Sequence, residues 1–544
     1  MDVLVVDCQA TGASPAFGHV LEVGWGVVRG DSGPRGFEAH WIALPEGHTV
    51  PGQVRKLTGW EPAAAADAIP GDEAWRRLRA AVAEAEPIPT AIHYARFELP
   101  FLREWSARFE PDMAFPLDAV CLHAIANRLY PGLPRLSLRA LAGYLGHSVA
   151  LQRRALGHVE ATAFVWQRLC SDLAALGIAT WEDLHGWLRQ RGPVRARPKK
   201  PTYPIDGQRF RSLPDQPGVY RFLRRNGDLL YVGKAASLKK RVTSHFIGRS
   251  GKLLAPEMLT QVSDIAVTET ASALEAALLE NETIKALNPP YNVQLTVGDT
   301  RVWYSNAAFD AAAATPSDDQ AIGPLSSEYA LRPLGALSAL LAGAPPELAV
   351  RAHAVGASAL WTPDEPVFTA GWSELMARHA PATGLPEDPP RTRALRLAQH
   401  LLAVVAAQKD PPRDDEEEGD HTWDPARVAR HLERAAAQAY RAYRRTRWLK
   451  LLVDAEVIYR EPAATRTRRL RIRTGQVSAA DLDEPLEVPA APAGAPFDRA
   501  CYDRLRILTT ELKRIARDGG DVVVLLQAGR ALPPRLLPGV FAVI

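Results

Sequence analysis

Two phenols, two cations and one carboxylate are grouped between residues 220 and 280: Tyr220, Tyr231, Lys234, Arg241 and Glu280. Hydrolysis of a phosphodiester needs a base that activates water, positive charge beside the phosphate, and a group that stabilises the leaving oxygen. These side-chain types can supply all three. A simpler interpretation stays open, in which the tyrosines only pack and the carboxylate forms a salt bridge to the lysine or the arginine.

A β-hairpin is expected to hold both tyrosines on one face. Asn226-Gly227 favours a two-residue type I′ turn, because both turn positions need positive φ. In that register Phe222 lies opposite Tyr231, and Tyr220 shares their face because side chains alternate along a strand. The hairpin therefore makes the two phenols diagonal neighbours.

The residues after the hairpin bring positive charge to the same region. Gly233 ends the second strand and Lys234 follows it. Ser237 can cap a helix on which Arg241 and His245 are one turn apart. Cations and phenols are thus expected to converge.

The carboxylate is predicted to lie on a helix that begins near Ser272 and ends before Pro289-Pro290. Glu280 falls in the middle of an apolar face made of Ala273, Ala276, Ala277, Ile284 and Leu287. The opposite face is expected to be exposed to water and carries Glu275, Glu282 and Lys285. Burial of an unpaired carboxylate is unfavourable, so we expect a metal ion, a cation or strong donors beside Glu280.

Residues 213 to 293 resemble the GIY-YIG nuclease domain of the UvrC family, which includes the homologue called Cho. Gly218-Val219-Tyr220 matches the first half of the name motif and Tyr231-Val232-Gly233 the second. The other matching residues are Lys234, Arg241, the LLEN-x-x-IK block around Glu280, and the closing NPPYNV with Asn292.

The resemblance implies a fold, a metal and roles for individual residues. It implies a three-stranded antiparallel sheet with flanking helices, whose third strand lies near Asp264 to Thr270. It also implies one Mg²⁺ or Mn²⁺ ion bound by Glu280. Either tyrosine would be the general base or assist it, Lys234 would lower a tyrosine pKa, and Arg241 would stabilise phosphate charge. Gly218, Gly233, His245 and Asn292 would be supporting residues; at His245 the family often has tyrosine.

Residues 1 to 175 resemble the DnaQ-like DEDD exonuclease family, which has an RNase H-like fold and holds two metal ions with acidic side chains. Asp7 is present, but Gln9 replaces the second acid of the first motif. Glu98 closes the second motif. In the third motif Arg153 replaces the histidine base and His158 replaces the last acid.

These replacements remove negative charge that two divalent cations need, so we expect this domain to be inactive. It would then be a structural support, or would hold a DNA end or a protein partner. A rearranged one-metal site of Asp7, Glu98 and His158 is the remaining alternative.

With 544 residues the chain exceeds the size of one hydrophobic core, about 250 to 300 residues. We predict a multidomain α/β protein whose GIY-YIG domain is followed by a mainly helical C-terminal region. The expected boundaries are an exonuclease-like domain (1–175), a basic Pro-rich linker (176–203), a GIY-YIG domain (204–300), a mainly helical region (301–408), an acidic loop (409–420) and an α/β region of unknown role (421–544).

The net charge of +3 hides three basic clusters, at residues 195–200, 441–450 and 466–473. Each suits a phosphate backbone, and each equally suits a solvated surface. Four scattered cysteines give neither a metal motif nor a disulfide framework, and no apolar run is long enough to span a bilayer, so we expect a cytoplasmic protein without a membrane partner.

The leading hypothesis is a DNA endonuclease that nicks one strand in nucleotide excision repair. Its partners would be DNA and, through the resemblance, damage-recognition proteins of the UvrA and UvrB type. Because residues 301–544 show no acidic triad of the RNase H-type nuclease domain that UvrC proteins also carry, we expect one incision rather than two. The alternatives are a non-catalytic DNA-binding scaffold and a 3′-5′ exonuclease.

Overall fold

The computed structural model describes most of the chain: residues 1–29, 33–81, 87–147, 153–190, 201–247, 256–292, 301–357, 362–408, 422–462, 464–486 and 497–526. The chain divides into two compact units. The first comprises Met1–Ala273 with Ala286–Gln294, and the second comprises Leu274–Lys285 with Leu295–Ile544. The expected acidic loop 409–420 and the basic cluster 195–200 lie outside the described residues.

The first unit begins with a mixed five-stranded sheet in the order β3-β2-β1-β4-β5. Its strands are β1 (Val3–Ala10), β2 (Val20–Arg29), β3 (Gly33–Trp41), β4 (Ile88–Ile92) and β5 (Leu117–Cys121). β1, β2 and β3 pair antiparallel, whereas β4 pairs parallel to β1 and to β5. β1 and β2 are almost continuously buried, as expected for strands covered on both faces.

Helices accompany this sheet: α1 (Gly52–Thr58), α2 (Gly71–Ala80), α3 (Ala95–Phe109), α4 (Leu122–Leu129), α5 (Leu138–Tyr144), α6 (Ala155–Ala174) and α7 (Trp181–Arg189), with a 3₁₀ helix at Pro62–Asp67. The prediction of a linker at residues 176–203 is wrong for part of that range, because Trp181–Arg189 forms helix α7. Thr180 and Asp183 form a capping box at its start, and Leu184 and Trp187 are buried in the core beneath the sheet. The first domain therefore extends to at least Arg189.

The rest of the first unit contains the predicted three-stranded antiparallel sheet, in the order β7-β6-β8. Its elements are α8 (Gly207–Arg211), β6 (Gly218–Leu223), β7 (Leu229–Ala235), α9 (Leu238–Ile247), α10 (Pro256–Leu259) and β8 (Asp264–Glu269). The predicted third strand is confirmed. Helix α11 (Ala273–Leu287) follows, and most of it belongs to the second unit.

The second unit combines a helical part with a C-terminal sheet. The helical part contains β9 (Trp303–Ser305), β10 (Ala312–Ala313), β11 (Ile322–Leu325), α12 (Arg332–Leu341), α13 (Leu348–Val355), α14 (Glu365–His379), a 3₁₀ helix at Ala380–Thr383, and α15 (Pro390–Ala407). The C-terminal part contains α16 (Pro425–Leu452), β12 (Ala455–Arg460), β13 (Arg468–Arg473), β14 (Gln476–Asp481), α17 (Arg499–Arg517) and β15 (Asp521–Leu526). Their order in the sheet is β14-β13-β12-β15.

The multidomain α/β class is thus confirmed. In the described parts of the chain, every helix is too short or too polar to cross a bilayer.

Candidate functional site

The hairpin register predicted from the sequence is confirmed. Phe222 lies opposite Tyr231, and Tyr220 lies opposite Gly233. The ring centroids of the two tyrosines are 6.1 Å apart. β6 and β7 therefore place both phenols on one face of the sheet.

The predicted two-residue type I′ turn is wrong. Gly227 has a φ of 88°, but Asn226 does not have positive φ, and the Gly227 amide donates to the Arg224 carbonyl. The Asn226 side chain instead holds Asp228, accepting from its amide at 3.1 Å and donating to its carboxylate at 2.9 Å. A longer loop followed by a β-bulge near Leu223 restores the expected register.

Glycine is required at position 233. A Cβ atom added there would lie 2.5 Å from the Tyr220 Oη and Cζ atoms and 2.8 Å from Tyr231 Cε1. A similar constraint acts at Gly218, where a Cβ atom would lie 2.3 Å from the Thr268 carbonyl oxygen on β8. The two motif glycines let backbone and phenol rings approach closely.

Tyr220 and His245 form a buried pair. The Tyr220 Oη and His245 Nε2 atoms are 2.8 Å apart, and the side chains are 1% and 0% exposed. Burial, with a smaller contribution from the charge of Arg241, lowers the pKa of His245 to about 4. His245 is therefore neutral near pH 7 and is a hydrogen-bond partner of the phenol.

The two predicted cations differ in exposure. Lys234 is half-buried near the end of β7, whereas Arg241 on α9 is exposed. Ser237 caps α9 as predicted, because its Oγ atom accepts a hydrogen bond from the Lys240 amide at 3.2 Å. The cap fixes the start of the helix that carries Arg241 and His245.

Asn292 attaches the segment after α11 to the edge of the sheet. Its Oδ1 atom accepts from the Val232 amide at 3.0 Å, and its Nδ2 atom donates to the Val232 carbonyl at 2.9 Å. The Tyr291 amide also donates to the Leu230 carbonyl at 3.1 Å. The supporting role expected of Asn292 therefore has a physical basis in the hairpin that carries Tyr231.

Helix α11 carries Glu280, whose side chain is half-buried. The apolar face predicted around it is confirmed for Ala276, Ala277 and Ile284, which are buried. It is wrong for Leu287, which is 53% exposed. The buried apolar face of the helix therefore ends at Ile284, about one turn before the predicted end at Leu287.

The face of α11 expected to be exposed to water is instead packed within the second unit. Leu274 and Leu278 are buried in the core of the C-terminal sheet. The Glu275 carboxylate accepts from Arg468 Nε at 2.9 Å, and Lys285 Nζ donates to Asp503 at 2.7 Å. Glu282 is 51% exposed at its side chain, as expected, although Arg504 Nε lies 3.4 Å from its carboxylate. Both long faces of α11 are thus involved in packing.

The residues of the degenerate exonuclease motifs meet at the end of β1. The Glu98 carboxylate accepts from the Cys8 amide at 3.0 Å, and His158 Nδ1 lies 3.2 Å from the Asp7 carboxylate. Burial, followed by the charge of Asp7, raises the pKa of Glu98 well above its ordinary value. Gln9 donates its amide hydrogen to the Arg153 carbonyl at 2.7 Å.

This arrangement weakens the negative charge available to a cation. Asp7 already has a histidine partner, and Glu98 is held in surroundings that favour its neutral form. Among the described residues no group of three or more His, Cys, Asp or Glu side chains is placed to hold a metal ion.

Glu22 and Arg224 are among the buried polar residues that were not predicted from the sequence. Glu22, fully buried on β2, accepts from Arg154 Nε at 2.6 Å and from the Ala155 amide at 2.9 Å, and so positions the start of α6. Arg224 donates to Gln261 at 2.7 Å and to the His147 carbonyl at 3.2 Å. An acid inside the apolar run VLEVG is the one local signal that could have identified Glu22.

Comparison with known proteins shows what the parts of this chain are similar to. A sequence model described as the UvrC-like GIY-YIG domain matches residues 216–293. UvrABC system protein C of Alkalilimnicola ehrlichii is 52% identical over 102 residues, which is 18% of this chain and 16% of that protein. A Mycobacterium tuberculosis protein provisionally named a bifunctional exonuclease/endonuclease is 28% identical over 304 residues, 54% of this chain and 45% of that protein.

Solved structures give weaker, partial likenesses. Exonuclease I of E. coli in complex with a dT13 oligonucleotide is 16% identical, covers 41% of this chain and 48% of that chain, and has a TM-score of 0.30. The GIY-YIG N-terminal endonuclease domain of UvrC from Thermotoga maritima, bound to magnesium, is 29% identical, covers 16% of this chain and 93% of that chain, and has a TM-score of 0.15. The chain spans less than half the length of the curated relatives named above. By sequence, it joins an exonuclease-like domain to a UvrC-like GIY-YIG domain.

Proposed function

We propose that this protein is a DNA endonuclease that hydrolyses one phosphodiester bond with a single divalent metal ion, nicking one strand during DNA repair. The observation that carries the proposal is that the residues matched to the GIY-YIG domain, 216–293, contain the complete set of two tyrosines, lysine, arginine and glutamate. The close packing of the two phenols over Gly233 supports it.

Glu280 is proposed as the protein ligand of the ion, Mg²⁺ or Mn²⁺. A half-buried carboxylate fits this role, because Mg²⁺ keeps several of its waters and is often held by one or two carboxylates with substrate phosphates. When bound, the ion would polarise the phosphate and stabilise the leaving alkoxide.

Tyr231 is proposed as the general base, with Tyr220 as the residue that positions it. A base must come within hydrogen-bond reach of the attacking water. Tyr220 is 1% exposed and its hydroxyl group is bonded to His245, whereas Tyr231 is only half-buried. Lys234 would add positive charge at the end of the strand that carries Tyr231.

Arg241 is proposed to stabilise the charge that develops on the phosphate. Its exposure on α9 allows a substrate phosphate to reach the guanidinium, and bidentate hydrogen bonds suit phosphate oxygens. Loading onto damaged DNA by proteins of the UvrA and UvrB type belongs to the same proposal, since relatives of the matched domain are named UvrABC system protein C.

The proposal is tested by incubating supercoiled and lesion-bearing duplex DNA with Mg²⁺ or Mn²⁺ and either native protein or Glu280→Gln. Internal nicks that the substitution abolishes support the proposal. Glu282→Gln is the matched control, because it changes the same group on the same helix at a position that is 51% exposed and loses only a surface ion pair with Arg504, so it should nick normally.

Other results would indicate the other functions. DNA binding without cleavage by the native protein, with a loading partner present, would indicate a scaffold. Trimming of an end-labelled single strand that survives Glu280→Gln would indicate the exonuclease-like domain as the active one.

A further inference from the structure

The longest helix described in the second unit is strongly basic. α16 carries eight arginine and lysine residues and one acid, Glu433. That acid is buried and already accepts from Arg378 at 2.9 Å on α14. The helix therefore does not neutralise its own charge.

Four of the cations on α16 and α17 are close enough to repel one another. Arg441 and Arg445 are one turn apart on α16, and Lys513 and Arg517 are one turn apart on α17. Burial and the neighbouring Arg445 lower the pKa of Arg441. Burial, Arg441 and Arg517 lower the pKa of Lys513. We call these four residues the α16–α17 basic cluster; of the four, Arg517 also donates to Asp518 at 2.8 Å.

Arg441 and Arg445 have no acidic partner within the described ranges. Arg441 is half-buried, yet its Nε atom has no hydrogen-bond acceptor there. Arg445 Nε is likewise without an acceptor in those ranges, and its NH1 group makes one long hydrogen bond, 3.4 Å, to the hydroxyl group of Tyr502. Both Nε atoms are themselves buried, so the terminal NH groups, which the rest of the described chain leaves largely unused, are the donors that can meet a partner outside the protein.

Several arginines elsewhere in the same unit are paired with acids. On β13, Arg468 bonds to Glu275 and Asp481, and Arg471 lies 3.4 Å from Glu456. Arg514, on the same helix as Lys513, donates to Glu511 at 2.8 Å. The third basic cluster predicted from the sequence is thus largely a network of internal salt bridges, whereas Arg441 and Arg445 of the second cluster make no such pair with any described residue.

Keeping half-buried guanidinium groups beside other cations is unfavourable, because partial burial removes water and strengthens like-charge repulsion. A polyanion outside the protein relieves that repulsion. Cations four residues apart on a helix are about 6 Å apart along its axis. That spacing lets both members of a pair contact phosphates of the same DNA strand, which carries one negative charge for about every 3.4 Å of axis.

We propose that the α16–α17 basic cluster binds the phosphate backbone of duplex DNA. The proposal rests on the proposed function, which makes DNA the polyanion that this chain acts on. It gives the α/β C-terminal region the role of holding the substrate, without reading its base sequence.

The test is fluorescence anisotropy with a labelled duplex in EDTA, so that cleavage does not interfere, repeated over a series of salt concentrations. The variant is Arg441→Ala/Arg445→Ala. We expect binding to be roughly 10- to 100-fold weaker near 0.1 M salt, and the slope of log affinity against log salt to become shallower by about two. The control Arg460→Ala/Arg466→Ala removes the same charge from arginines paired with Asp521 and Asp481, and should bind normally.

Two further variants and measurements separate binding from folding. Arg441→Lys/Arg445→Lys keeps the charge and should keep most of the affinity. Thermal unfolding of the alanine variant should occur at or above the native midpoint, because no internal ion pair within the described residues is lost. A lower midpoint would assign the arginines a structural role and overturn the proposal.

Other outcomes also decide the question. Unchanged DNA affinity in the alanine variant would overturn the proposal, even if nicking that depends on Glu280 is observed. Tighter binding to polyglutamate than to the duplex would overturn it in favour of an acidic protein partner. If DNA affinity falls as expected but Glu280→Gln still nicks, the inference stands and the proposed catalytic function fails.

Discussion

His245 should make the GIY-YIG part of the chain sensitive to acid. Its side chain is fully buried, and burial together with the charge of Arg241 lowers its pKa to about 4, against about 6.5 for an exposed imidazole. Between these two values the unfolded chain binds the proton and the folded chain does not. The contribution of His245 to stability is therefore complete above about pH 6.5 and is lost as the pH falls toward 4.

The geometry explains why protonation is unfavourable. The Oη atom of Tyr220 lies 2.8 Å from the Nε2 atom of the His245 ring. The Nδ1 atom is buried and has no hydrogen-bond partner within the described residues. An added proton would therefore leave a buried donor without an acceptor, close to the cationic Arg241. Lowering the pH from about 7 to about 4.5 should cost about 2.5 kcal/mol of unfolding free energy through this residue.

The assay is urea unfolding followed by circular dichroism at the two pH values, for native protein and for His245→Gln. Glutamine can still hydrogen bond to Tyr220 but does not titrate. Other groups that change protonation in this range, among them Glu98 and His93, contribute equally to both proteins. The native protein should lose about 2.5 kcal/mol more than the variant. Parallel pH dependence in the two proteins would refute the reasoning.

Two further predictions concern the hairpin and the exonuclease-like domain. Gly233→Ala should destabilise the protein by about 1–3 kcal/mol and reduce nicking, because the added methyl group overlaps both tyrosine rings; chemical unfolding measures it. Gly52→Ala, which meets no atom within 4 Å, is the control and should be near neutral. Native protein and Asp7→Asn should both leave an end-labelled single strand untrimmed in Mg²⁺ or Mn²⁺, because His158 already lies 3.2 Å from the Asp7 carboxylate, where the family's last acid is missing; trimming that Asp7→Asn abolishes would show an active exonuclease site.

The sequence was sufficient where a feature depends on local spacing. The pairing of Phe222 with Tyr231, the Ser237 cap and the third strand of the small sheet all follow from alternation, capping chemistry and turn residues. The turn itself was predicted wrongly, because the side chain of Asn226 found a partner in Asp228 that a dipeptide rule does not consider.

Features that depend on distant partners could not be derived in this way. One face of α11 was predicted to be exposed to solvent, because the periodicity of a helix shows only which residues share a face and not what packs against that face. The residues that cover that side come from β12, β13 and α17, more than 160 positions later in the chain. Leu274, Glu275 and Lys285 were accordingly assigned to solvent or not considered.

The amino-acid sequence by itself determined the chemical types available: two phenols, their cations and a glutamate at spacings that local rules can place on strands and helices. Tertiary structure alone decided which charges are neutralised. Arg468 and Arg471 of β13 meet carboxylates, whereas Arg441 and Arg445 meet other cations within the described residues. An arginine carries the same charge in both settings, and only the groups that folding brings next to it decide whether it stabilises the protein or remains available to bind a phosphate.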